Sequence, residues 1–479
     1  VLPYRNVTLP DGVAVIGSVT LLKEAVGTKS GDINFEGGTL NYTDDKFVWI
    51  FRVSSSTVEA LRLHLENVNL PSSTELVVYS STFDTITDGP YRGPYANHQF
   101  WTRSLSGDYL TIAIRSTTQL ENVTDTLSKI SFQIKEVAQV SSYVPSLSPS
   151  SSSFSTRTLS SSKDTWPCQN DGDCFLDPQC AHSTSSDAIS WTKKAVAKLE
   201  WVDTAARSLV SCSGTLLADS DNSSERPLLM TAKHCFSDSV DFTTVEAYFF
   251  YTTDKCNGTC PGNLVNGQPR PIADTMGATL LSYDTTLDYA LLELTENNNS
   301  HIPNGVVFLG WDSSKLKLDP KQTLHRISTP NFGAQVYSEH KVNLSPKTLC
   351  GLKPQNMITT NVIQGDTSFG SSGSPIVDNQ GNFLGHLRGK CGTQFAALCS
   401  SRTTYVTVDS AFSVYFSRIQ KFLMVDDKKN MYTPNVSASC KLVKNGLPCK
   451  QSTDCCSKKC QCRKSCSKKC QSRMKVCVP

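Results

Sequence analysis

The first 167 residues contain no cysteine, although the chain of 479 residues holds nineteen. No disulfide can staple that part of the chain, so its stability must come from buried apolar surface. No run of 18 or more apolar residues occurs, which excludes a helix long enough to cross a bilayer. VAVIGSVTLL (13–22) comes closest, but it is too short to span, lacks the flanks of an export signal and reads as a strand. An export signal is expected to have been removed ahead of Val1. Residues 440–479 lack histidine, which weighs against a Cys/His zinc site there.

The cysteines that are present fall in two groups. Ten lie between Cys168 and Cys399, and nine crowd between Cys440 and Cys477. This usage implies an oxidising compartment and modules stabilised in different ways. The odd total leaves at least one thiol free or paired between chains. Eight N-x-S/T sequons, at Asn6, Asn41, Asn122, Asn222, Asn257, Asn298, Asn343 and Asn435, agree with secretion as a glycoprotein. Charge is also segregated. Residues 440–479 carry nine Lys and two Arg against one Asp, a balance of +10, so the total of +3 leaves −7 for the rest.

Four segments follow. Residues 1–140 carry short alternating β-rich runs, FVWIFRV (47–53), ALRLHLENV (60–68), ELVVYS (75–80) and YLTIAIRS (109–116), parted by turn chemistry. That pattern predicts a β-sandwich with no catalytic cluster. Residues 141–165 form a linker, with twelve serines between Ser141 and Lys163. Residues 166–430 again show strands and turns, with one helical pattern at AFSVYFSRIQKFLM (411–424). The fold class is therefore all-β. Residues 440–479 are too few for a hydrophobic core and must be held by covalent links.

Chemistry is carried by three separated motifs. FGSSGSPI (369–376) alone reads as a turn, as Ser/Gly-rich runs usually do. TAKHC (231–235) places His234 after a strand, and LDYALLEL (287–294) places Asp288 at the head of another. A serine hydroxyl becomes nucleophilic only with a base in reach, and the base needs an anion to hold its tautomer. Glycines beside the serine let the backbone curl so that N–H groups point at a developing oxyanion. Asp284 competes with Asp288, and Ser371 with Ser372.

TAKHC, DYALL and GSSGSP, in that order, resemble the signatures of trypsin-like (chymotrypsin-fold) serine proteases. The likeness is greatest to the secreted lysyl-endopeptidase-like branch, which also uses G-S-S-G-S-P. CSGTLL (212–217) agrees, and residues 1–140 resemble the sandwich that precedes this branch. The resemblance implies a double β-barrel over about 166–425. It makes Ser372 the nucleophile, His234 the general base and Asp288 its orienting partner. Oxyanion donors would be the N–H groups of Gly370 and Ser372. It pairs Cys212 with Cys235, Cys168 with Cys391 and Cys174 with Cys256, leaving Cys180, Cys260, Cys350 and Cys399 unassigned. Ser371 stands where digestive members carry the Asp that pairs with a newly cut N-terminus, so activation by that ion pair is not expected.

The resemblance further implies cleavage after Lys or Arg. Asp366, six positions before Ser372, would lie at the base of the specificity pocket, with Asp409 as its competitor for that place. Arg388 and Gly389 would line the wall, and the Arg388 cation could compete for the carboxylate. Substrates are proteins or peptides. No cofactor or metal is required, and no nucleic-acid partner is expected. The tail's C-x5-CC-x3-C spacing resembles knottin-like modules, and its lysines could dock on an anionic surface or polysaccharide. Two rival readings are an inactive protease homologue serving as a binding scaffold and a toxin or inhibitor tail as the main functional module.

Overall fold

The computed structural model describes residues 12–28, 38–43, 45–56, 58–81, 86–140, 174–181, 186–220, 224–259, 261, 270–297, 300–314, 318–330, 333–346, 349–392 and 405–424, with short strands beyond. Among the described residues, ten strands precede Ser141: β1 (Ala14–Thr28), β2 (Thr39–Tyr42), β3 (Phe47–Ser54), β4 (Ala60–Leu70), β5 (Thr74–Ser80), β6 (Thr87–Arg92), β7 (Tyr95–Trp101), β8 (Leu105–Ser106), β9 (Tyr109–Ser116) and β10 (Ser131–Val140). A short helix, α1 (Val123–Ser128), lies before β10. Strands β2, β3, β9, β5 and β6 form one sheet, while β1, β10, β4 and β7 belong to a second. The period-2 reading of β3 holds: Phe47 and Trp49 point inward, while Val48 and Ile50 stay exposed. Phe47, Trp49, Leu76, Ile112 and Ile114 from the first sheet meet Leu61, Leu63, Phe132 and Ile134 from the second in one core.

The helix α2 (Ser186–Ala195) follows, then β11 (Val196–Asp203), β12 (Ser208–Leu216), β13 (Leu228–Thr231), β14 (Glu246–Phe249), β15 (Thr275–Met276), β16 (Ala278–Asp284) and β17 (Tyr289–Leu294). Their core contains Leu199, Trp201, Val210, Cys212, Leu229, Phe236 and Leu292. Strand β18 (Val307–Phe308) leads to β19 (Thr323–Ser328), β20 (Val336–Val342), β21 (Met357–Gln364), β22 (Pro375–Val377), β23 (Phe383–Gly392) and β24 (Tyr405–Ala411). These last six close into a barrel. The helix α3 (Phe412–Leu423) buries Phe412, Tyr415, Ile419 and Leu423, the apolar stripe that its periodicity predicts. Its stripe packs with Tyr289, Leu291, Trp311 and Val377 between the two strand groups.

The two halves share one sheet. Strand β1 pairs with β10 on one side and with β12 on the other, making a continuous path of a 12-stranded sheet. Arg62 of β4 lies fully buried, its Nε donating to Thr102 O at 2.7 Å and its Nη1 3.4 Å from Glu246 of β14. Ser104 also donates to Glu246, through both its N–H and its hydroxyl. In the tail, β25 (Leu442–Val443) pairs with β18, while β26 (Pro448–Cys449), β27 (Cys460–Cys462) and β28 (Lys475–Cys477) form a small antiparallel sheet.

The Cys212–Cys235 disulfide is present. Two expected pairings are not. Cys256 bonds Cys180, not Cys174, because Asp177 accepts from Thr253 and from the Asn257 N–H and so pins the Cys180 turn on the Cys256 loop. Cys391 bonds Cys350, not Cys168; Leu352, two residues past Cys350, packs in the same cluster as Cys391. Among the sequons, Asn41, Asn122 and Asn257 are exposed and Asn343 is half-buried. Asn6, Asn222, Asn298 and Asn435 lie outside the described residues, as do 141–173 and most of 440–479. No described helix is long and apolar enough to cross a membrane.

Candidate active site

The loop 369–374 is held by both strand groups. The Ser213 N–H of β12 donates to Ser372 O at 2.9 Å, and the Gly373 N–H donates to Leu387 O of β23 at 2.9 Å. Gly373 has φ +81, and a Cβ there would lie 2.2 Å from Thr231 Oγ1 and 2.4 Å from Ser213 O. Only glycine lets the loop approach β12 and β13 so closely. Gly370 also has a positive φ, +86. The Ser371 hydroxyl is buried and tied to Ser328 Oγ at 3.0 Å, whereas Ser372 Oγ faces the cleft toward Gly12.

His234 sits in the one-turn helix 233–235 after β13, beside the Cys212–Cys235 link. Its Nδ1 lies 2.8 Å from Asp288 Oδ2, and its backbone N–H donates to Asp288 Oδ1 at 2.8 Å. This fork fixes the ring: a carboxylate only accepts, so Nδ1 donates to Asp288 and Nε2 is turned away from it. That Nε2 has no hydrogen-bond partner among the described residues. Burial of Asp288 opposes its ionisation, but the charge of His234 and its hydrogen bonds outweigh burial and hold the carboxyl below its usual range. Asp284 is not in this group; it accepts from the Leu287 N–H and pairs with Arg418.

Sequence reasoning missed the group behind Asp288. Asp288 has φ +56, a left-handed conformation unusual for a residue with a side chain. Its carbonyl accepts from His386 Nε2–H at 2.7 Å, and His386 Nδ1 accepts from the Tyr415 hydroxyl of α3 at 2.9 Å. His386 is fully buried, and burial pushes its pKa down to about 4 against the opposing pull of Asp288. The motif GHL inside β23 is the only trace of it, and nothing in that motif marks it as a support.

The residues expected to set specificity fall differently from one another. Asp366 is buried at 1 % exposure. Its Oδ1 accepts from Lys390 Nζ, from the Tyr405 hydroxyl and from the Thr367 N–H, each at 2.7 Å, while Oδ2 has no partner among the described residues. The cation competing for Asp366 is therefore Lys390. Arg388 donates to Thr286 O at 2.8 Å and lies 3.8 Å from Asp288. Between them, a Cβ on Gly389 would meet nothing within 4 Å. Asp409 is fully buried against Arg326 at 2.6 Å.

One further group enters the cleft. Gly12 O accepts from the Gly370 N–H at 3.0 Å and from Ser372 Oγ at 3.1 Å. A carbonyl is thus bound by one of the two expected oxyanion donors and touches the serine hydroxyl.

Among the described residues His234 joins Asp288, while Ser372 Oγ bonds Gly12 O and His234 Nε2 has no partner. Residues 168–406, just under half of the chain, match the family model described as lysyl endopeptidase, C-terminal domain. Lysyl endopeptidase of Pseudomonas aeruginosa is 26 % identical over 419 residues, 84 % of this chain and 81 % of that protein. These similarities support a trypsin-like serine peptidase acting on proteins or peptides. The Rv3671c protease of M. tuberculosis in its active form is 17 % identical, over 50 % of this chain and 85 % of that one, with a TM-score of 0.32. The HtrA-type protease AlgW with a tripeptide is 15 % identical, over 50 % of this chain and 64 % of that one, with a TM-score of 0.35. Structural likenesses this low carry no argument about the site.

Proposed function

We propose that the chain is a secreted serine endopeptidase of the lysyl-endopeptidase branch, cutting after Lys or Arg. The observation that carries the catalytic part is the His234 ring, locked through Nδ1 to Asp288 with its Nε2 unpartnered at the cleft that Ser372 Oγ faces. In the reaction, Ser372 Oγ attacks the substrate carbonyl carbon and gives its proton to His234 Nε2. The oxyanion is held by the N–H groups of Gly370 and Ser372. His234 returns the proton to the leaving amine, and water activated by the same nitrogen then hydrolyses the ester. Asp288 stabilises the imidazolium throughout. All three groups are retained, which disfavours the inactive scaffold. Asp366 and the family match support a cationic side chain before the scissile bond. In this reading residues 1–140 are a non-catalytic sandwich, 166–430 the protease and 440–479 a knottin-like module whose +10 balance suits an anionic surface.

A fluorophosphonate or sulfonyl fluoride should label Ser372. Ser372→Ala should lower kcat roughly 10⁴- to 10⁶-fold with folding intact. Labelling at Ser371, or turnover retained by the variant, would refute the assignment.

A further inference from the structure

The chain's own backbone lies against the serine loop. Gly12 O sits between the Gly370 N–H and Ser372 Oγ. Val13, the next residue, is 7 % exposed and packs into the core with Trp201, Val210 and Cys212. Ala14 and Val15 then pair antiparallel with Ser211 and Val210 of β12, next to the cysteine that is bonded to Cys235. So a carbonyl lies at Ser372 Oγ, and the residues after it pair with β12 beside it, as in recognition by strand addition.

We propose that residues Gly12–Val15 have a second function, as an inhibitor strand that closes the active site from within the same chain. The proposal rests on the serine-peptidase reading. Three features make the strand an inhibitor and not a substrate. First, Gly12 brings no side chain to the specificity pocket, where Lys390 pairs with Asp366, so no binding energy from that pocket is available to drive acylation. Second, the conformation at Gly12 has φ +94, open to glycine and strained for other residues. Third, the leaving group cannot leave. Attack of Ser372 Oγ on the Gly12 carbonyl carbon would break the Gly12–Val13 bond, and His234 would pass the serine proton to the Val13 nitrogen. That amine is fixed by Val13 in the core and by β1 between β10 and β12. Held beside the ester, it attacks the acyl carbon at a high effective concentration, restoring the peptide bond and returning the proton to Ser372.

A Cβ on Gly12 would lie 2.7 Å from Ser372 Oγ and 2.9 Å from His234 Nε2, so any side chain there must expel the strand's start from the cleft. Gly12→Ala should therefore label with a fluorophosphonate at Ser372 about tenfold faster than wild type, or more. It should also lower KM for a Lys peptide with kcat little changed, since an intramolecular competitor withholds the competent state. Equal labelling rates and equal KM in the two proteins would overturn the inference. If neither protein labels or hydrolyses, the triad reading fails instead. A second measurement does not depend on the variant. Wild type saturated with a peptide phosphonate should exchange the amide hydrogens of residues 12–15 faster than the free protein. Unchanged exchange would also refute the strand's role.

Discussion

Lys390 occupies Asp366, the carboxylate proposed for the specificity pocket. A carboxylate at 1 % exposure needs a cation or several donors, and Lys390 supplies the cation with its own amine largely withdrawn from water. Burial pulls the lysine pKa down, against the stabilising charge of Asp366. In the proposed reading, a substrate lysine would have to displace this internal one and spend part of its binding energy on that exchange. Lys390→Met removes the competitor. The ratio of kcat/KM for Lys over Ala peptides should rise about tenfold, while the unpaired Asp366 should lower the melting temperature of the free enzyme. An unchanged ratio would show that cationic side chains do not enter here.

His386 ties the stability of the fold to pH. The groups facing it are Asp288, His234, Arg326 and Tyr415. Its folded pKa of about 4 lies below the ordinary value of 6.5. The unfolded chain therefore binds a proton that the folded one refuses, so stability is full above pH 6.5 and falls as pH drops toward 4. The loss is about 3 kcal/mol across that window. His386→Gln keeps a donor for the Asp288 carbonyl but cannot titrate. Urea unfolding from pH 7 to 4 should give a flatter stability profile for the variant than for wild type; parallel profiles would refute the assignment.

At the scale of elements, the strands were readable because their residues are β-branched or aromatic and bounded by turn signals. β9 (109–116) matches the sequence reading at both ends. The helix α2 was not readable: SDAISWTKKA has few large apolar residues, and only tertiary packing buries Ala188, Ile189 and Thr192. The motifs around His234, Asp288 and Ser372 were legible because each has a fixed local context. His386, Lys390 and the partners of Cys256 and Cys391 were not, since they depend on which strands lie side by side. Strand β1 is the sharpest case. Its composition predicts a strand, but nothing in VAVIGSVTLL says that it pairs with β12 as well as β10, or that the residue before it meets Ser372.

That shared strand changes what the whole molecule should do when cut. The serine-rich composition of 141–163, with Arg157 and Lys163, marks this segment for cleavage by a basic-specific protease and suggests that a sandwich and a protease would part. The fold argues against parting. Separation would strip β1 from β10 or from β12 and would expose Arg62 and Glu246, both at 0 % exposure, as unpaired charges. Breaking one buried ion pair is worth about 3–5 kcal/mol by itself, and Arg103, which donates to Ala273 O, and Ser104, on Glu246, would lose their partners across the same boundary. Nicking with trypsin should therefore give two fragments on a denaturing gel that elute together, at the size of the intact chain, on gel filtration. Two separate folded peaks under native conditions would mean that the shared sheet is not what holds the halves together.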